Sequence, residues 1–283
     1  MLLRALATSL LLGAAAVSPV VPVTIAQTVQ TSPAAPVSEL VHATGLDAVF
    51  TQFGPSLMAS AREERLTRDP IFLEHWDAAT REVFDPVLLQ RELERQLLGA
   101  ISTEDIDELL VFCDSPFGQR ITALERAVSQ LPPGEQGRVI GMGQIKLRNA
   151  TALRRAHLDE MMDLTSAETF VSLVGQSVRA MLLGMSLFNQ NGDIDIPWAD
   201  IDAQVDAMMP TLMTDLLDVQ KAMLAYTYAD LDADNLERYL RFLRTPAAQT
   251  FYARANTALA TITASAMHRF GAALARRLAR VDV

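Results

Sequence analysis

One pattern of 24 residues occurs twice in this chain, and it limits the fold more than any other feature. From Ser102 to Glu125 the chain reads as a helix, a break and a second helix. Ser102 is a helix cap, with Asp105 three residues on to answer its backbone amide. Ile106, Leu109, Leu110 and Cys113 fall at i, i+3, i+4 and i+7, one apolar stripe on a 3.6-residue period. Pro116 ends that helix, because a proline biases the residue before it away from the α region. The same proline suits the first position of a new helix, and Ser115 before it is a good cap. Phe117, Ile121 and Leu124 give that helix its own apolar face. The spacing predicts a tight helical corner.

The corner returns 130 residues later, from Asp232 to Ala255. Leu236, Tyr239, Leu240 and Leu243 take the stripe positions, and Phe242 stands where Phe112 did. Thr245-Pro246 repeats Ser115-Pro116, Gln249 repeats Gln119, and Asp232 with Asn235 repeats the cap. A stripe alone recurs by chance; a stripe, a cap and a Ser/Thr-Pro break in register point to an internal duplication. A second pair of landmarks agrees: Ser38 to Asp47 matches Asp159 to Glu168 at an offset of 121. In each, an apolar helix is followed by a Thr with an acid three residues on, read as the capping box of the next helix. The second unit therefore carries nine extra residues, some of them in the polar stretch Asn189 to Pro197.

Ser115-Pro116-Phe117-Gly118, after an acidic helix start and an apolar helix, resembles the bacterial family catalogued as domain of unknown function number 2059. Thr245-Pro246-Ala247-Ala248 keeps the proline and loses the glycine, so the second copy is the more divergent. The resemblance covers about half the chain if both copies count. It implies secreted or periplasmic all-helical proteins and carries no catalytic residue across.

Residues 1–26 read as a secretory signal: Arg4, an apolar run through Leu12 to Val17, and a small-residue cleavage site ending at Ala26. The run falls short of the ~20 residues that span a bilayer. An uncleaved anchor is the alternative, which Pro19 and Pro22 disfavour. Residues 27–37 form a Pro/Ala/Thr/Ser linker expected to be disordered, 38–131 a first helical repeat, and 132–158 a connecting helical segment. Residues 159–283 are a second repeat with a C-terminal helix from Pro246 as far as Arg280. Asp85-Pro86 opens a helix with Leu89, Leu93 and Leu97 on its stripe, and Met209-Pro210 opens its counterpart, Thr211 to Tyr228. Leu131-Pro132-Pro133-Gly134 is the strongest break, and Phe170 to Phe188 reads as a central buried helix. With no strand alternation anywhere and 50% hydrophobic residues, the expected fold is all-α, a multi-helix array of two duplicated units.

A net charge of −10, with bases interleaved among acids, argues against a phosphate-reading face and so against a nucleic-acid partner. Cys113 is the single cysteine, so no internal disulfide exists; on the apolar stripe it reads as a small buried hydrophobe.

Catalytic and cofactor patterns fail one by one. Gly175-Gln176-Ser177 starts a nucleophile elbow but lacks the closing glycine and the preceding strand, although Asp200 and His268 follow in hydrolase order. Gly141-Met142-Gly143 lacks the third glycine of a dinucleotide loop. Asp230, Asp232 and Asp234 lack the glycine and final carboxylate of a calcium loop. Glu39-x-x-His42 is one pair where a di-iron bundle needs two, and His157 with Glu160 has no third ligand. No cofactor and no metal are expected.

Two features remain. Met181 with Met185, and Met209 with Met213, stand at i, i+4, and could line an adaptable apolar surface, hold Cu(I), or simply fill the core. On the last helix Phe270, Leu274 and Leu278 form a stripe ringed by Arg269, Arg276, Arg277 and Arg280, which fits a docked helix better than one lying on a membrane surface. The sequence thus points to an exported, non-enzymatic helical module that binds a protein or an envelope component. The alternatives are peripheral membrane attachment and an enzyme of unrecognised type.

Overall fold

The structure, a computed structural model, describes residues 35–63, 69–132, 135–165 and 198–279. Among these residues the fold is all-α, with eleven helices and no strand. They are α1 (Ala35–Ala43), α2 (Asp47–Glu63), α3 (Pro70–Val83), α4 (Pro86–Leu97), α5 (Thr103–Asp114) and α6 (Pro116–Ser129). After the Pro-rich break come α7 (Gln136–Asn149), α8 (Ala152–Leu164), α9 (Trp198–Thr227), α10 (Ala233–Leu243) and α11 (Pro246–Leu278).

Local chemistry sets the helix starts. Asp69 and Asp85 each accept a backbone N–H from their own first turn, ahead of Pro70 and Pro86. Such a cap satisfies an orphan amide and is worth about 1 kcal/mol. Both corners carry the same device. The Ser115 hydroxyl accepts from the Gly118 N–H with φ/ψ of −64°/150° at the cap, and Thr245 accepts from the Ala248 N–H at −67°/145°. The Ser115 N–H donates to the Phe112 carbonyl at 3.1 Å, and the Thr245 N–H to the Phe242 carbonyl at 2.9 Å. Only the first corner demands glycine: a Cβ on Gly118 would sit 2.0 Å from the Phe112 carbonyl oxygen. Ala248 fills that place in the second corner and is fully buried.

Several sequence expectations are corrected. Thr44 does not cap α2; its hydroxyl donates back to the Leu40 and Val41 carbonyls at 2.7 and 3.3 Å. Thr165 does the same to Met161 and Met162, at 2.9 and 3.4 Å. Both thus finish the preceding helix, a bond that a Thr hydroxyl four residues along makes readily. Asp105 bonds the Ser102 hydroxyl at 2.7 Å rather than the Ser102 amide. Pro210 does not open a helix but lies inside α9, which starts at Trp198. A proline removes one hydrogen bond, and α9 is held elsewhere by packing on α6, α7 and α8. The 158/159 boundary falls within α8, because the real break is at Ala150 and Thr151, whose hydroxyl accepts from the Arg154 N–H. Helix α1 begins inside the expected linker, at Ala35, where Val37 is already buried. The expected signal segment, the helix Phe170 to Phe188 and the loop Asn189 to Pro197 lie outside the described residues.

Helix α11, about 50 Å long at 1.5 Å per residue, ties the chain together. It leaves the second corner beside α10 and runs across α3, α4 and α5. One core therefore contains Leu40, Leu57, Trp76 and Leu93 from the first part of the chain together with Phe251, Met267 and Phe270 from the last. A second cluster joins Phe117 and Ile121 to Met161, Leu236 and Leu240. Phe112 and Phe242, 130 residues apart in the chain, stack on each other with ring centres 3.5 Å apart and planes within 7°. Helix α1 packs on α5, and α8 packs on α10.

Candidate ligand-binding site

A cavity of about 210 Å³ lies where the two parts of the chain meet. The α1–α2 turn contributes Leu46, α6 Val128, the end of α8 Met161, α9 Met223 and Leu224, and α11 Phe251. These walls are apolar, as ligand sites generally are. Side-chain caps hold the helix ends that frame them. Arg126 donates to the His42 carbonyl at the end of α1, and Arg154 to the Tyr228 and Leu231 carbonyls beyond α9. Gln249 and Asn256 of α11 donate to the Leu164 and Thr165 carbonyls at the end of α8.

One charged side chain is among the described lining residues, Glu125. Its Oε1 accepts from the Tyr228 hydroxyl, and from the Tyr239 hydroxyl at 2.9 Å. The Tyr252 hydroxyl lies 3.4 Å from that of Tyr239. Since the Tyr239 proton is committed to Glu125, Tyr252 must be the donor in that pair. Phenols from the turn after α9, from α10 and from α11 thus gather around one carboxyl from α6. Burial raises the Glu125 pKa, against the opposing pull of the two phenol hydrogen bonds and of Arg126. Burial and the Glu125 charge push Tyr228, Tyr239 and Tyr252 well up, so the phenols stay protonated donors.

The raised carboxyl carries a signed prediction. The unfolded chain releases this proton near pH ~4.3, before the folded chain does. Between the two pKa values the folded state binds more protons, so this group's contribution to stability falls as pH rises and levels off above the folded value. Glu125→Gln keeps an acceptor for the phenols and removes the titration. Urea midpoints measured from acid to neutral pH should show wild type losing ground to the variant as pH rises. A constant difference, or wild type gaining, would contradict the burial of this carboxyl.

The residues nominated from sequence are placed elsewhere. Met181, Met185 and the Met209 side chain lie outside the described residues, and Met213 packs half-buried against the larger core, away from the cavity. Phe270 and Leu274 are completely buried, and Leu278 packs beside them. Arg276 and Arg277 both pair with Glu82, at 3.2 and 2.5 Å. The stripe is therefore covered by α3 and α4, which leaves a membrane surface no apolar face there. Arg269 is exposed on a charged groove beside Glu82 and Glu92. His42 pairs with Asp47 at 3.1 Å, and buried His157 faces Glu237 rather than Glu160. Cys113 is buried and free, its thiol pushed up to about 12 by burial. Among the described residues no group of His, Cys, Asp and Glu could hold a metal ion, and no helix is long and apolar enough to cross a membrane.

The Glu125 cluster escaped sequence reading because its members are far apart in the chain. A signal did exist. Three of the four tyrosines converge here, and Tyr239 occupies a stripe position that is Leu109 in the first corner. Glu125 itself stands where the second corner has Ala255, also on the cavity wall.

No family model, no curated protein and no solved structure matches this chain.

Proposed function

We propose that this is an exported, non-catalytic binding protein that encloses a small molecule between two related helical units. The observation that carries the reading is the apolar cavity walled from both parts of the chain, with one carboxyl cluster set into it. Direct stacking of Phe112 on Phe242, which share a position in the two sequence repeats, supports the relationship of the units. All three phenol protons are spent on Glu125 or on a neighbouring phenol, an arrangement that fixes the carboxyl rather than passing a proton outward. Export rests on the signal-like segment ending at Ala26 and on the family resemblance of the Ser115-Pro116 corner.

Size narrows the ligand. An apolar cavity of ~150 Å³ accepts benzene, and drug-sized sites run to ~300–1,000 Å³. At about 210 Å³ this one is too small for a partner helix and suits a compact envelope component or metabolite.

The test is titration with a small apolar probe such as toluene, read as a rise in unfolding temperature, since a ligand bound only by the folded state stabilises it. Wild type should show a saturable rise. Ala255→Leu, which fills the cavity from α11, should fold and lose the response. No saturable rise in wild type, or an undiminished one in Ala255→Leu, would refute the reading.

A further inference from the structure

Hydrogen-bond supply and demand inside the cavity are unequal. Its hydroxyl donors are already used. The Thr44, Thr165 and Thr227 hydroxyls donate to carbonyls of their own helices. The Ser129 hydroxyl donates to the Arg126 carbonyl, and the Asn256 amide to Thr165. The phenols donate to Glu125 and to each other. Acceptors are left over. Glu125 Oε2 takes no hydrogen bond from Tyr228 or Tyr239, because both phenols use Oε1. Gln220 Oε1, on α9, is buried beside the same space with no partner among the described residues. A buried acceptor without a donor destabilises the empty cavity, and a ligand N–H supplies the missing bond on binding.

Charge points the same way. Glu125 carries the only formal charge among the described lining residues. Arg154 is turned onto the Tyr228 and Leu231 carbonyls, and Arg126, whose charge also acts on Glu125, donates to the His42 carbonyl. Thr44, Thr165 and Thr227 bring the C-terminal ends of α1, α8 and α9 to the cavity. Such ends hold partial negative charge and favour cations. Rings of Tyr228, Tyr239, Tyr252 and Phe251 complete the wall, and aromatic faces attract a cation.

From this juxtaposition we infer that the cavity recognises a compact organic cation, an amine whose ammonium N–H groups reach Glu125 Oε2 and Gln220 Oε1 while its hydrocarbon part fills the apolar walls. The inference rests on the small-molecule reading above and specifies its ligand class. A charge-assisted N–H to carboxylate bond is roughly twice as strong as a neutral one, which separates an amine from an alcohol of the same shape.

The experiment compares cyclohexylmethylammonium with cyclohexylmethanol on the full chain by isothermal titration near neutral pH. Wild type should bind the amine about tenfold or more tightly than the alcohol. Glu125→Gln should weaken the amine by about tenfold and change the alcohol by less than about threefold, and Gln220→Leu should weaken the amine by a smaller factor. If wild type binds the alcohol as well as the amine, the cation inference is wrong and the cavity reading survives. Amine affinity unchanged in Glu125→Gln would likewise refute the cation inference. If neither compound binds and toluene also fails, the cavity reading falls with it. The wild-type comparison decides the matter even where a variant does not fold.

Discussion

Trp76→Ala should cost about 3–5 kcal/mol of stability, the largest single effect in the molecule. Trp76 is 2% exposed at the centre of the larger core. Its indole N–H donates to the Leu57 carbonyl of α2 at 3.0 Å, and its ring meets Phe270 of α11 edge to face at 4.8 Å. One side chain on α3 thus joins the start of the chain to its end, and truncation leaves a cavity that helices pinned at both sides cannot close. A domain of this kind has about 5–15 kcal/mol in all, so the variant should sit near the edge of folding. Trp76→Phe, which keeps a ring and loses the hydrogen bond, should fall between. The check is a denaturant series with an unchanged slope and a shifted midpoint. A loss under about 1 kcal/mol in Trp76→Ala would mean that α11 does not dock here, and the face of Phe270 and Leu274 would again be free for a membrane.

The second large effect comes from a pair of glycines two residues apart. A Cβ on Gly143 would lie 2.0 Å from the Ala222 carbonyl oxygen, whereas one on Gly141 would meet nothing within 4 Å. Helices α7 and α9 therefore approach backbone to backbone at Gly143, and a methyl group there forces them apart. Overpacking against a rigid backbone costs about 1–3 kcal/mol or more. Alanine in place of a helical glycine otherwise gains about 0.5–1 kcal/mol. Gly143→Ala should be destabilised by about 2 kcal/mol net, and Gly141→Ala should be slightly stabilised. The opposite signs, measured on the same helix, separate packing from propensity. Similar effects in both variants would contradict the close crossing of α7 and α9.

Local features were legible in the sequence because local chemistry produces them. The Ser115-Pro116 and Thr245-Pro246 corners, the Asp85-Pro86 start and the Leu89, Leu93, Leu97 stripe need only neighbours within a few residues. Pro210 misled because the rule that places proline at a helix start is a preference, and tertiary packing holds α9 on past the missing bond. Thr44 misled because one hydroxyl can cap the next helix or close the last, and the sequence does not choose. The candidate site was hidden for a deeper reason. Thr44 and Leu259, at opposite ends of the described chain, share its wall, and only the assembled helices bring them together. Glu125, between Leu124 and Arg126, looks like any solvated helix carboxylate until α9, α10 and α11 close over it.

The most direct test of the cavity as a binding site is methyl NMR on methionine-labelled protein during titration with the amine and with toluene. Met161 and Met223 line the cavity, at 1% and 9% exposure, while Met142 is 38% exposed on α7 and away from it. The Met161 and Met223 methyl signals should move together and saturate with one dissociation constant, while Met142 stays still. Met161 and Met223 unmoved at saturating ligand, or all three drifting without saturation, would show that the space between the units receives nothing.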